Sequence, residues 1–121
     1  MSTQATVLIT GATSGIGEAL LQQYLANGYR VIACGRNQEK LRQYANAHHN
    51  VIPLAFDITD SQQISQAANQ LTDIERIDLL LLNAGDCRYI DDVNAFDGQL
   101  FADIIAINLQ SLGYLLEHFL P

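Results

Sequence analysis

Short apolar runs alternate along the chain with stretches whose apolar residues recur at helical spacing. Four runs are rich in β-branched residues or leucine and end at turn residues, which predicts strands with apolar side chains on both faces. They lie at residues 5–10, 29–34, 51–56 and 77–82. Because Pro53 has no N–H to donate to a neighbouring strand, we expect the third strand at a sheet edge.

Helical spacing follows each of these runs. Apolar residues three and four positions apart predict four helices: residues 15–26, from about Asn37, from Asp60 or Ser61 to Leu71, and from about Gln99 to Leu120. Asn27 and Gly28 are typical of a helix C-cap. Strands that alternate with helices require a parallel sheet with helices on both faces. The pattern therefore predicts a three-layer, doubly wound α/β fold.

Composition excludes several classes of protein. The chain has 121 residues, of which 49% are hydrophobic and 16% charged, so it is expected to fold as one domain. A net charge of −7 argues against nucleic-acid binding. Cys34 and Cys87 have no partners at metal-site spacing, which predicts neither a metal site nor a disulfide framework. The N-terminus lacks a basic leader, and no uninterrupted apolar run, such as 79–82, is longer than four residues. We therefore expect a cytoplasmic protein that does not span a membrane.

Charge is distributed unevenly along the sequence. Residues 1–56 carry four basic and two acidic side chains, whereas residues 57–121 carry two basic and eleven acidic ones. The acidic half is expected to form a solvated surface that favours solubility. The slightly basic half is the part expected to face a phosphate-rich ligand.

A glycine-rich string follows the first strand and opens the first helix. Gly11 permits a sharp turn, Gly15 allows the backbone to approach a pyrophosphate, and Gly17 allows the helix to pack closely on the sheet. N–H groups at the helix start, with the hydroxyls of Thr13 and Ser14, then form a candidate anion site. The alternative is a glycine turn used only for packing. The string reads Thr10-Gly11-Ala12-Thr13-Ser14-Gly15-Ile16-Gly17.

This Thr-Gly-x-x-x-Gly-x-Gly string is similar to the coenzyme motif of the short-chain dehydrogenase/reductase family. A second family string, Asn-Ala-Gly after the fourth strand, is matched by Asn83-Ala84-Gly85. The chain resembles the N-terminal half of such an enzyme. The resemblance implies a Rossmann-type sheet with strand order 3-2-1-4, a bound nicotinamide dinucleotide, and hydride transfer between nicotinamide and a small carbonyl or alcohol substrate.

The same resemblance implies a set of cofactor-binding residues. Asn83, Ala84 and Gly85 would stabilise the sheet beside the cofactor, although Asn and Gly are also common in plain turns. Asp57 with Ile58 would meet the adenine, although Asp57 could equally serve as a turn or helix-capping residue. The full implied set is Thr10, Gly11, Thr13, Ser14, Gly15, Ile16, Gly17, Arg36, Asn37, Asp57, Ile58, Asn83, Ala84 and Gly85.

The end of the second strand indicates which nicotinamide cofactor is preferred. A carboxylate there would accept hydrogen bonds from the ribose hydroxyls of NAD, but the sequence reads Cys34-Gly35-Arg36-Asn37. The planar guanidinium of Arg36 suits the 2′-phosphate of NADP. The alternative is an exposed loop cation. We expect NADP(H) to be preferred over NAD(H).

The residues for catalysis are only partly present. The resemblance implies that Asn108 belongs to an Asn–Ser–Tyr–Lys catalytic set, although it could simply be a tolerated polar helix residue. No Tyr-x-x-x-Lys occurs, and the single lysine is Lys40. Residues 1–121 are therefore expected to be one incomplete coenzyme-binding domain, inactive alone, that acts on substrate only in a full-length form. The alternative is a non-catalytic NADP(H)-binding sensor or interaction module.

Self-association is expected from the last predicted helix and the last predicted strand. The helix is apolar on more than one face and needs cover from a partner as well as from the sheet. In the order 3-2-1-4 the fourth strand has an open edge, which favours pairing with another chain. In the family this helix commonly forms a subunit interface, so the resemblance implies a homo-oligomer.

Overall fold

Four parallel strands form the centre of the fold in the computed structural model, which describes residues 4–74, 76–83 and 98–119. The strands are β1 (Thr6–Thr10), β2 (Arg30–Gly35), β3 (Val51–Ala55) and β4 (Leu79–Leu81). They pair in the order β3-β2-β1-β4, each neighbour parallel. The doubly wound α/β fold and its strand order are confirmed, and Pro53 lies in an edge strand.

Helices cover both faces of this sheet. They are α1 (Gly15–Ala26), α2 (Gln38–Ala47), α3 (Ser61–Asn69), α4 (Gly98–Ile105) and α5 (Ser111–Phe119), with a π-helical stretch, Ala106–Gln110, between the last two. We call this stretch the π segment. The Asp60 carboxylate caps α3 by accepting from the N–H groups of Gln62 and Gln63. Gly28, with φ of 83°, follows the end of α1 as predicted.

Alternate side chains of the strands divide the core into two layers. Leu8 of β1 packs in a cluster with side chains of α3 and α5, including Ile64 and Leu115. Val7 and Ile9, on the other face of β1, pack with α1 and α2. All of these side chains are buried. The short apolar runs therefore bury side chains on both faces of the sheet, as a parallel sheet between helix layers requires.

The fourth strand is shorter and less buried than its sequence predicts. Residues 77–82 are predicted as a strand, but β4 contains three residues, and Leu79 is 37% exposed. Within the described residues β4 pairs only with β1, so its other edge lacks the hydrogen bonds that would extend it.

The C-terminal helical stretch also differs from the single regular helix predicted for residues 99–120. Helical structure is continuous from Gly98 to Phe119, but the π segment interrupts its α-helical hydrogen bonding. This stretch is long and apolar enough, by length and composition alone, to cross a membrane, with a mean hydropathy of 1.2 over 18 residues. The count of uninterrupted apolar residues missed it because polar residues, singly or in pairs, separate the apolar ones. Core helices of globular proteins pass the same test, so the absence of a membrane span and a cytoplasmic location stay predictions.

A three-residue cluster joins α1 to α2. The Tyr44 hydroxyl donates to the Glu18 carboxylate, and Lys40 Nζ lies 2.9 Å from the same oxygen, Glu18 Oε2. The hydrogen bond from Tyr44 makes the largest contribution to lowering the pKa of Glu18, and the hydrogen bond from Lys40 makes the next largest. Burial raises the pKa of Tyr44, and so does its hydrogen bond to Glu18. The stabilisation from Glu18 is thus complete above the ordinary glutamate pKa and is lost as the pH falls through the lowered one.

Candidate functional site

A cleft of about 600 Å³ opens at the carboxyl ends of the strands. This edge of a doubly wound sheet is where ligands bind, because the loops that leave the strands diverge there. The cleft is lined mainly by the loops after all four strands, with one residue each from the end of β2, the first turn of α1 and the π segment. The lining residues are Gly11, Thr13, Ser14, Ile16, Gly35, Arg36, Asn37, Phe56, Asp57, Ile58, Thr59, Asn83 and Ile107.

The glycine-rich loop after β1 has the geometry expected of an anion site. Gly11 and Gly15 have φ values of 65° and 56°, which favour glycine over any residue with a side chain. The Ala12 N–H donates to the Cys34 carbonyl at 3.1 Å and ties the loop to β2. Ser14 is the N-cap of α1, but its side chain makes no capping hydrogen bond. The positive end of the α1 dipole is therefore not neutralised by a side-chain cap.

Gly17 lies where three parts of the fold meet. A Cβ atom at this position would lie 1.9 Å from the Gly11 carbonyl oxygen and 2.8 Å from Asn83 Nδ2. The first turn of α1 thus packs directly on the loop backbone and on the residue that follows β4. This contact supports the packing role that the sequence predicts for Gly17, and it brings Asn83 to the same site.

Not every residue in the predicted cofactor set lines the cleft. Thr10 is completely buried, and neither Gly15 nor Gly17 is among the lining residues, although both belong to the first turn of α1. Ile16, by contrast, is 72% exposed in the cleft wall. Ala84 and Gly85 lie outside the described residues.

The loop after β2 presents the positive charge of the site. Arg36 is exposed, lines the cleft, and forms no ion pair with the part of the chain that the structure describes. Asn37 also lines the cleft, but its side-chain oxygen Oδ1 caps α2 by accepting from the Lys40 N–H at 3.0 Å. Arg36 therefore has its charge available for a ligand, whereas Asn37 has a structural role as well.

Asp57 forms a turn and also lines the cleft. Its Oδ1 accepts from the hydroxyl of Thr59 at 2.7 Å and from the Thr59 N–H at 2.9 Å. These two bonds, and then the positive charge of Arg36, hold the pKa of Asp57 below its ordinary value. The turn interpretation left open by the sequence is thus correct, and it keeps the carboxylate ionised beside the candidate ligand site.

Removal of the Thr59 hydroxyl tests this assignment. Thr59→Val removes the side-chain hydrogen bond that contributes most to the lowered pKa of Asp57, so we expect this pKa to rise toward its ordinary value of 3.8. Because the folded-state pKa is lowered, the stabilisation from Asp57 is present above pH 3.8 and lost as the pH falls through the lowered value. Carboxyl ¹³C NMR titration measures the shift, and Thr72→Val, at an exposed site, serves as the control. An unchanged Asp57 titration in Thr59→Val would contradict the assignment.

Asn108, the predicted catalytic residue, is exposed in the π segment and does not line the cleft. Its neighbour Ile107 does. Ile107, Gly35, Phe56 and Thr59 are lining residues that the sequence prediction missed. Three of them directly precede or follow predicted site residues after β2 and β3, and an Asp followed two positions later by Thr is a turn signal.

Comparison with known proteins gives relatives along the whole chain. This chain is 31% identical over 117 residues to an NADP-dependent 3-hydroxy acid dehydrogenase of Salmonella typhi. The alignment covers 95% of this chain and 47% of the relative. It is 45% identical over 85 residues to a serine 3-dehydrogenase of Rhizobium radiobacter, covering 66% of this chain and 33% of that one. The NADPH-bound carbonyl reductase from chicken fatty liver superposes with a TM-score of 0.87 at 27% identity, covering 99% of this chain and 49% of that one.

The chain spans no more than about half the length of these relatives. Within that span the match is continuous, since residues 5–121 fit the family model for short chain dehydrogenases. The fold, the glycine-rich loop and the cleft at the carboxyl ends of the strands agree with that match. The chain belongs to the short-chain dehydrogenase family.

Proposed function

We propose that this chain binds NADP(H) in the cleft and forms the coenzyme-binding part of an oxidoreductase. The observation that carries the proposal is the pairing, in one cleft, of an α1 N-terminus without a side-chain cap and the exposed Arg36 without an ion-pair partner among the described residues. The N-terminus of α1 suits a pyrophosphate, and the guanidinium of Arg36 suits a 2′-phosphate. The NADP-dependent relative and the NADPH-bound structural neighbour support this assignment.

The strand order gives the dinucleotide a direction across the site. β3 and β4 lie at opposite edges of the sheet, with β1 between β2 and β4. With the 2′-phosphate on Arg36 and the adenine near Asp57 and Ile58, the pyrophosphate lies on the loop after β1. The nicotinamide half then extends toward Asn83, which follows β4.

The nicotinamide supplies a hydride for a carbonyl substrate or accepts one from an alcohol. The residues of this chain bind and orient that cofactor: the first turn of α1 holds the phosphates, and Ile16 provides an apolar surface within the cleft. We propose Asn108 as a member of the catalytic set. Because no Tyr-x-x-x-Lys occurs in the 121 residues, we expect no turnover from this chain alone.

Binding and turnover together test the proposal. We expect calorimetry to give at least about tenfold tighter binding of NADPH than of NADH, as one charge-assisted interaction with the 2′-phosphate predicts. We also expect no NADPH oxidation with carbonyl substrates. Equal affinities would contradict the cofactor preference, and measurable reduction would contradict the incomplete catalytic set. Binding without turnover is also the behaviour of the non-catalytic alternative, which a longer chain carrying Tyr-x-x-x-Lys separates from an enzyme.

We further propose that the C-terminal helical stretch mediates self-association. Phe101, Leu109 and Leu116 are 55%, 62% and 39% exposed, and their spacing of seven to eight residues places them along one face. We expect light scattering to give a mass that rises with concentration in the micromolar range. Leu109→Glu should shift the chain toward monomer, because it places a charge on the apolar face. Gln110→Glu, an equal charge change at an exposed polar neighbour, should leave the mass unchanged. A monomeric wild-type chain would contradict the proposal.

A further inference from the structure

The side chain of Gln63, in the first turn of α3, bonds both ends of the turn 57–60, whose first three residues line the cleft. Its Oε1 accepts from the Asp57 N–H at 2.9 Å, and its Nε2 donates to Asp60 Oδ2 at 3.1 Å. In the usual capping box, the side chain at the third helical position bonds the N–H of the N-cap residue. Here the N–H of the N-cap, Asp60, already donates to the Asp57 carbonyl at 3.0 Å, and Gln63 reaches three residues further back.

The bond to Asp57 satisfies a backbone group that the sheet does not. The Phe56 N–H donates to the Gly35 carbonyl at 3.0 Å and so continues the pairing with β2 one residue beyond β3. Among the described residues β3 is an edge strand, so there is no strand on its other side to accept from the next N–H, that of Asp57. Gln63 supplies this acceptor. The point at which the chain leaves the sheet for the cleft is therefore tied to α3 through Gln63.

The other hydrogen bonds of the turn leave one acceptor and one donor close together. The hydroxyl and the N–H of Thr59 both donate to Asp57 Oδ1. In the part of the chain that the structure describes, neither Asp57 Oδ2 nor the Ile58 N–H takes part in a hydrogen bond. An acceptor beside a donor complements the amino group of adenine and an adjacent ring nitrogen. These two groups lie where the proposed function places the adenine.

We propose that Gln63 is a positioning residue that holds this turn in the conformation that selects adenine over a 6-oxo purine. This inference rests on the proposed binding of NADP(H), with the adenine near Asp57 and Ile58. A base with an oxo group in place of the amino group presents an oxygen to the Asp57 carboxylate, and two acceptors repel each other. Discrimination between the two bases depends on where this carboxylate lies, and so on the bond that fixes the Asp57 backbone.

Calorimetric titration of the 121-residue chain with NADPH and with reduced nicotinamide hypoxanthine dinucleotide phosphate, the 6-oxo analogue, tests the inference. We expect the wild type to bind NADPH more tightly. For Gln63→Met, which removes the acceptor for the Asp57 N–H, we expect NADPH affinity to fall about threefold to tenfold, as for one lost hydrogen bond, and affinity for the analogue to change by less than about twofold. Gln63→Glu keeps an acceptor and should retain the wild-type ratio of affinities, because its added charge acts on both ligands alike. Gln62→Met, the same change at an exposed neighbour outside the cleft lining, should alter neither affinity.

The possible results separate this inference from the proposed function. A narrowed ratio in Gln63→Met, with the wild-type ratio kept in Gln63→Glu, supports the positioning role. Equal weakening of both ligands by Gln63→Met shows a general structural role and overturns the inference, as does wild-type NADPH affinity in that variant or an equally narrowed ratio in Gln63→Glu. A wild-type chain that binds NADPH and the analogue equally overturns the inference and leaves the proposed function standing. A wild-type chain that binds neither ligand overturns both.

Discussion

Replacement of Gly17 by alanine is expected to remove most cofactor binding and to destabilise the fold. The added Cβ would lie 1.9 Å from the Gly11 carbonyl oxygen and 2.6 Å from its carbonyl carbon, both backbone atoms. A rotamer change cannot relieve this overlap, so the loop and the first turn of α1 must separate. We expect a loss of about 1–3 kcal/mol in the free energy of unfolding, the usual range for overpacking, and NADPH binding at least about tenfold weaker.

Gly113→Ala is the matched control for this prediction. Gly113 lies in α5, is exposed, and has no atom within 4 Å of an added Cβ. Alanine there should stabilise the chain by about 0.5–1 kcal/mol, because glycine is unfavourable inside a helix. Urea denaturation and calorimetry measure the two effects. If Gly17→Ala matched the wild type in both stability and NADPH affinity, Gly17 would have no packing role.

Most of the fold follows from local sequence signals. The first strand, the glycine-rich loop and α1 are adjacent in sequence, and each is marked by its own residues: the β-branched run, Gly11 and Gly15, and the helical spacing up to Ala26. Alternation of strands and helices then restricts the sheet to a parallel one. The strand order required the family resemblance as well, because pairing between β1 and β4 joins residues about seventy positions apart.

The features that sequence reasoning missed depend on contacts between distant segments. The length of β4 depends on which strands pair with it, and no signal in residues 77–82 shows that only three of them pair. The π segment is a change of hydrogen-bond register inside a helix whose residue types, Ala106 to Gln110, are all ordinary in an α-helix. Spacing of apolar residues cannot show a change of hydrogen-bond register inside a helix.

The sequence predicts where the residues of the candidate site lie better than it predicts the role of each side chain. The sequence placed Asp57 at the end of β3 but left its turn role and its adenine role as alternatives. The structure shows the turn bond through Oδ1, and because that bond favours the ionised carboxylate, the turn role and a ligand role are compatible. Thr59 and Ile107 enter the site because of backbone geometry, which single residue types do not specify.

The second large effect is expected from Arg36→Asp. The variant removes the guanidinium that faces the candidate 2′-phosphate position and puts a carboxylate there, which repels a phosphate and accepts hydrogen bonds from a ribose diol. A charge-assisted hydrogen bond contributes about 1.5–3 kcal/mol, so we expect NADPH affinity to fall about tenfold to one hundredfold. NADH affinity should stay the same or rise. The preference for NADPH over NADH is therefore expected to disappear or invert.

Arg42→Asp separates this local effect from a change in net charge. Arg42 lies on α2, where it is 63% exposed and pairs with Glu39 at 3.1 Å, and it does not line the cleft. Both variants change the net charge by the same amount, so a long-range field effect would weaken NADPH binding similarly in each. Calorimetry with NADPH and NADH on the wild type and both variants distinguishes the cases. If Arg36→Asp and Arg42→Asp reduced NADPH affinity equally, Arg36 would be an exposed loop cation, and cofactor preference would have to come from other residues of the cleft.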